Sequence, residues 1–298
     1  MDLDLSIALA GAAVGFTVGL TGMGGGALMT PLLVLVFGVQ PLAAVSSDLV
    51  ASMVMKPIGG GVHLRQGTVH RGVVTWLMLG SIPAAFSGVL LLKALGDDAG
   101  DVLEPLLGVA LLVASAATVA RTRLASRRGT TPLDVSHVAV RRAATVAVGV
   151  GGGVIVGLTS VGAGSLMIVL MLSLYPRLDA KALVGTDLVQ AVPLVGAAAL
   201  GHLLFGDVRL GITTSLLVGA VPAVYVGARL SSRADDRWIR PVLVAVLVAS
   251  ALKLLDVATV ATAAAAVAAG AATVLARRPH DGAVPQELVP ASGGVAER

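Results

Sequence analysis

The chain has 298 residues, of which 56% are hydrophobic and only 13% charged, and its mean hydropathy is +0.93. Soluble domains carry about 25% charged residues, so this composition cannot cover a water-facing surface and predicts an integral membrane protein. The net charge of +4 sits in short loops without interleaved aromatics, which argues against nucleic acid as a partner. The lack of cysteine excludes disulfides, thiolate metal sites and thiol nucleophiles.

Apolar runs fall at 5–21, 26–37, 43–62, 73–92, 105–120, 143–160, 163–174, 182–201, 211–228, 241–255 and 257–276. Most approach the ~20 residues of a spanning helix, so the expected fold is all-α and polytopic. Asp2 and Asp4 precede the first run where a cleaved leader would be basic, and the run reads as retained. With alternating segments, 17 of the 21 Lys and Arg fall on one side. Only Lys93 and Arg209 fall on the other, and Lys56 and Lys253 lie within segments. Basic loops stay inside, so a multi-pass plasma-membrane protein is expected, with its N-terminus outside and its C-terminus cytoplasmic. The polar tail 277–298 reads as disordered.

The chain repeats itself. Gly19-Leu20-Thr21 matches Gly157-Leu158-Thr159, and Gly24, Gly26, Leu28 and Met29 match Gly162, Gly164, Leu166 and Met167, all 138 positions apart. From Asp48-Leu49-Val50 the offset is 139, pairing it with Asp187-Leu188-Val189. The same offset pairs His63-Leu64 with His202-Leu203, Pro83 with Pro222, and Gly67, Gly72, Gly80 and Gly88 with Gly206, Gly211, Gly219 and Gly227. This divides the chain into a first membrane repeat (1–120), a basic cytoplasmic linker (121–142), a second repeat (143–256), an unpaired helix (257–276) and the tail. Five segments per half is an odd number, so the second half must enter the membrane from the opposite side. Two inverted repeats are a transporter architecture, with the substrate site at their interface.

Segments 26–37 and 163–174 are too short, at about 18 Å, for a core of ~30 Å. Each follows a glycine break, Gly22–Gly26 in one half and Ser160–Gly164 in the other. Broken or re-entrant helices at matching positions point to a binding site, because their N-termini present unpaired N–H groups to an anion. Gly24, Gly25, Gly26, Gly162, Ala163 and Gly164 are therefore candidate substrate-binding positions. Gly11, Gly15 and Gly19 fit close helix packing better.

Intramembrane charges are costly and functional by default. Asp48 and Asp187 read either as proton-coupling groups or as helix-start carboxylates. Lys56, whose counterpart is Val195, is a candidate counter-charge for the anion or else an ion-paired or snorkelling lysine. Gln190 could donate to a substrate oxygen or bond a neighbouring helix. His63 and His202, at matched helix ends, suit either gating or capping. No metal site and no cofactor are implied, and without an ATP-binding motif an ion gradient is the expected energy source. An anion channel or, with less support, an intramembrane enzyme are the rival readings. The sequence leaves a homodimer open.

The glycine-rich break, Pro31-Leu32, His63-Leu64-Arg65-Gln66-Gly67 and Gly80-Ser81-Ile82-Pro83 resemble the TauE/SafE family of sulfite exporters, also called the toluene-sulfonate uptake permease family. Val184-Gly185-Thr186-Asp187-Leu188 and the stretch from Gly201-His202 to Gly206 carry the likeness into the second half, so it covers about 5–255. The resemblance implies a carrier of sulfite, an organosulfonate or a related small anion, with export as the expected direction.

Overall fold

The structure, a computed structural model, describes residues 3–21, 25–126, 138–178, 180–230 and 236–275. Gly24, most of the linker's interior (127–137) and the tail lie outside the described residues. Among the described residues all regular structure is helical. The helices are α1 (Leu5–Thr21), α2 (Gly26–Leu35), α3 (Pro41–Arg65), α4 (Arg71–Leu95), α5 (Ala99–Ser126), α6 (Arg142–Thr159), α7 (Leu166–Leu174), α8 (Ala180–Phe205), α9 (Leu210–Leu230), α10 (Asp236–Leu254) and α11 (Thr259–Leu275). Six of them, α3, α4, α5, α6, α8 and α9, contain stretches long and apolar enough to cross a membrane. Leu79, Leu90, Val218, Val242 and Val267 point outward from the bundle, as a lipid-facing surface requires. The chain is a multi-pass membrane protein.

Helix ends differ from the sequence pattern where backbone geometry intervenes. The short segment expected over 163–174 becomes a helix only at Leu166, because Gly162 and Gly164 take φ of +121° and +105°, which no α-helix contains. The segment expected over 26–37 stops at Leu35, and Gly38 turns the chain with φ +62°. In the other direction, α3 begins at Pro41 and α8 at Ala180. Asp48 and Asp187 therefore stand two turns inside their helices, too deep to act as helix-start carboxylates.

Glycine sets the closest crossings. Gly11, Gly15 and Gly19 of α1 lie against the backbone at Leu216, Ala220 and Val224 of α9. A Cβ at Gly15 would stand 2.6 Å from the Ala220 carbonyl oxygen, so only a hydrogen allows the two backbones to approach this closely. Residue numbers rise together along the contact, and the two helices run parallel. In α6, Gly149, Gly153 and Gly157 rest in the same order on Leu77, Ser81 and Ala85 of α4. Each residue of this second crossing is the counterpart, by an offset of 138 or 139, of one in the first.

Helices α3 and α8 pass each other in opposite directions, since Ser46 meets His202, Gly60 meets Leu188 and His63 meets Gly185. Two matched bonds tie the starts of neighbouring helices. The His70 N–H donates to Thr186 Oγ1 at 3.0 Å, and the Arg209 N–H donates to Ser47 Oγ at 3.3 Å. The short α2 packs on α3 and α10, and α7 packs on α5, α6 and α8. Both short helices are thus held inside the bundle by long ones, and α11 is added on the outside against α10.

Candidate functional site

The two glycine breaks meet. Gly26, at the start of α2, lies directly against the Ser160 backbone, and a Cβ there would collide with the Ser160 carbonyl oxygen. Ser160 ends α6 in the left-handed conformation, φ +59°, which turns the chain sharply toward α2. Its hydroxyl donates to Asp48 Oδ2 at 2.6 Å. Thr30, on α2, donates to the same oxygen at 3.0 Å. One carboxylate on α3 therefore joins broken segments from both halves.

The corresponding carboxylate has different partners. Gln190 Nε2 donates to Asp187 Oδ1 at 3.2 Å, and Ser81 of α4 donates to Gln190 Oε1 at 3.3 Å. Asp48, Asp187 and Gln190 are all within 1% of full burial. Lys56 is 9% exposed and lies within the electrostatic reach of both carboxylates, about two turns along α3 from Asp48. No hydrogen bond or ion pair joins Lys56 to another described residue. Its Cα stands ~12 Å of helix rise from that of Asp48, and its charge acts on both acids.

Neither short helix has a side-chain cap at its N-terminus. The Leu28 N–H of α2 donates to the Gly25 carbonyl at 3.0 Å and the Met167 N–H of α7 to the Gly162 carbonyl at 3.3 Å; the other first-turn N–H groups lack an intrahelical acceptor, and they open at the break beside the carboxylates. Gly25, Gly26, Gly162, Ala163 and Gly164 are all buried there, while Gly24 lies outside the described residues. The cavity of about 580 Å³ between α1, α2 and α10 is a separate space. Val14, Phe16, Leu28, Pro31, Leu32 and Val246 line part of it and none of the candidate residues does; with so few donors, it suits a hydrocarbon better than an oxyanion.

The matched histidines part company. His63 Nδ1 is 2.9 Å from Thr68 Oγ1 in a half-buried turn at the end of α3. His202 is fully buried. Its Nε2–H donates to the Gly157 carbonyl at 2.9 Å, so its Nδ1 accepts from Ser46 Oγ at 2.7 Å. The ring links α8 to α3 and α6. His202→Ala would leave both partners buried and unpaired, an expected loss of about 2–4 kcal/mol visible as a lower thermal midpoint. His63→Ala should change stability by less than about 0.5 kcal/mol. Equal stability losses in the two variants would contradict this division.

The chain matches the sulfite exporter TauE/SafE family over residues 7–254. It belongs to that family. A curated relative is the "Probable membrane transporter protein YjnA" of Bacillus subtilis (strain 168), 37% identical over 256 residues, covering 85% of this chain and all of the relative. A second, the "Probable membrane transporter protein YtnM" of the same organism, is 27% identical over 244 residues, covering 81% and 77% of the two chains. No solved structure matches. The protein is a membrane transporter of the TauE/SafE type, and the matched region contains both breaks and both carboxylates.

Several residues at this TauE/SafE centre carry no obvious mark in the sequence. Thr30 reads as one polar residue in an apolar segment, and Ser160 as part of a glycine break. Arg121, in the last turns of α5, acts electrostatically on Asp187, whereas its place in a basic stretch suggests only topology. His70 caps α4 by accepting from the Val73 N–H at 3.1 Å, and its Nε2–H donates to the Val138 carbonyl at 3.0 Å. An isolated histidine before a helix signals such a cap only weakly.

Proposed function

We propose that the chain is a secondary transporter, working as an exporter, for a small sulfur oxyanion such as sulfite or an organosulfonate. The observation that carries this reading is the meeting of two uncapped helix N-termini with Asp48, Lys56 and Asp187 in one buried centre. Oxyanions take several N–H bonds at once, and breaks at Gly24–Gly26 and Gly162–Gly164 would supply them from two directions. Lys56 and Gln190 would add a charge and an amide donor. Asp48 and Asp187 would carry the coupling ion, read from the sequence as a proton. His63 and His202 would close the path at opposite ends of the α3–α8 crossing. The family's description as sulfite exporters supports the substrate class and the direction.

The two halves are read as inverted repeats around this centre. Support comes from the opposed directions of α3 and α8 and from the matched glycine crossings α1–α9 and α4–α6. Cysteines introduced at Gln66 and Asp207 should then label from opposite sides of the membrane, Gln66 from the cytoplasm. Labelling of both from one side would remove the inverted arrangement. The function itself is tested by flux of sulfite, sulfonates, sulfate and thiosulfate in proteoliposomes, with and without a pH gradient. Saturable, gradient-dependent flux of a sulfur oxyanion is expected, and non-saturating flux indifferent to the gradient would instead mark an anion channel.

A further inference from the structure

Asp48 has two carboxylate oxygens with different surroundings. Oδ2 accepts from the hydroxyls of Ser160 and Thr30. Oδ1 is buried and has no partner in hydrogen-bonding geometry, although the Ser52 hydroxyl one turn along α3 also acts on the carboxylate. With two hydroxyls donating to Oδ2, the unmet demand of the group lies at Oδ1. A buried ionised oxygen with nothing bound to it is among the costliest groups a protein can hold, and Lys56, about two turns away, makes no bond to it. The oxygen therefore calls for a positive partner.

The surrounding chemistry limits that partner. Ser160 and Thr30 have given their hydrogens to Oδ2, so their oxygen lone pairs remain available. The break that follows α6 places a helix C-terminal end here, where free carbonyl oxygens carry partial negative charge. These are hard oxygen donors. Among the described residues there is no group of three or more His, Cys, Asp or Glu that could hold a metal ion. One carboxylate with neutral oxygens fits a single positive charge better than two.

We propose that Asp48 Oδ1 anchors a binding site for a small alkali cation, of the Na⁺ type, seated between α3, the start of α2 and the turn that ends α6. The proposal rests on the reading of Asp48 as a coupling carboxylate and names the ion it carries. Unwound segments and helix C-terminal ends are the groups that bind such ions in transporters built around broken helices.

The experiment is thermal unfolding of the full chain in detergent, without any anion substrate. Choline chloride is replaced stepwise by NaCl at constant ionic strength and pH. Na⁺ should raise the midpoint saturably, by about 3–5 °C once it exceeds its Kd tenfold. Asp48→Asn should abolish the rise, and Asp187→Asn should keep it. Should Asp48→Asn fail to fold, Ser160→Ala should raise the Na⁺ concentration at half effect about tenfold, the loss of one ligand. Equal midpoints for wild type in NaCl and choline chloride would overturn the proposal, as would a rise that persists in Asp48→Asn. With the titration repeated at a second pH, a midpoint that follows pH but not Na⁺ would overturn it in favour of a proton. Since no substrate is present, failure to transport sulfite leaves this result standing, and the absence of a Na⁺ effect leaves the transport reading standing.

Discussion

Gly26→Ala is expected to abolish transport, and Gly25→Ala to leave it nearly intact, although the two residues are adjacent in one glycine run. A methyl at Gly25 would meet the Met55 Cε and Ser52 Oγ atoms at 3.6 Å, which is ordinary contact. At Gly26 it would run into the backbone carbonyl of Ser160 and come within 2.5 Å of its hydroxyl. That carbonyl belongs to the left-handed turn ending α6 and cannot swing aside as a side chain could. The start of α2 and the Ser160 turn would separate by the order of an ångström, and the hydroxyl would be carried away from Asp48. Displacements of ~1 Å at a working site cost about 100-fold in rate, and a comparable fall in flux is expected. Overpacking costs about 1–3 kcal/mol of stability, so the variant should still insert. Surface expression, thermal midpoint and proteoliposome flux check this together. Normal flux through a properly inserted Gly26→Ala chain would remove the meeting of the breaks from the mechanism.

The contrast between these two glycines also marks how far the sequence could be read. Membrane class, the approximate positions of the apolar segments and the two breaks follow from composition, run length and the 138–139 offset, because each is a property of the chain's own order. The packing role expected of Gly11, Gly15 and Gly19 also follows, since a small residue at every fourth position has one main use in a helix. Which glycine is indispensable is different. Glycine is at ease at positive and negative φ alike, so nothing in the letters distinguishes Gly162 and Gly164, at φ +121° and +105°, from Gly25, at φ −58°. Thr30 and Ser160 could not be linked to Asp48 either, because their contact joins positions 18 and 112 residues away from it. Arg121 escaped for another reason: charge counting treats every arginine near a helix end as an orientation signal, and only the packing of α5 brings this one near Asp187.

Lys56→Met should weaken binding of the anion at least tenfold, about 1.4 kcal/mol, without changing topology. Lys56 is nearly buried, feels both carboxylates, and corresponds in the second half to the buried Val195. Its charge is thus no inheritance of the repeat and requires a reason of its own. Two reasons are distinguishable. If the ammonium faces the anion directly, removing it takes away an attraction that nothing else replaces. If it serves only to neutralise Asp187, removing it exposes the anion to an uncompensated carboxylate, and breaking one side of such a buried pair is the costly step. The double variant Lys56→Met/Asp187→Asn separates them by a mutant cycle. Affinity for sulfite, titrated calorimetrically on the purified chain, should stay weak in the double variant when the lysine holds the anion. Recovery to within about twofold of the wild-type value, close to the ~0.5 kcal/mol by which independent changes fail to add, would assign Lys56 to the carboxylate instead. Unchanged affinity in Lys56→Met alone would leave the anion held by the N-termini of α2 and α7, whose positive ends need no lysine to attract it.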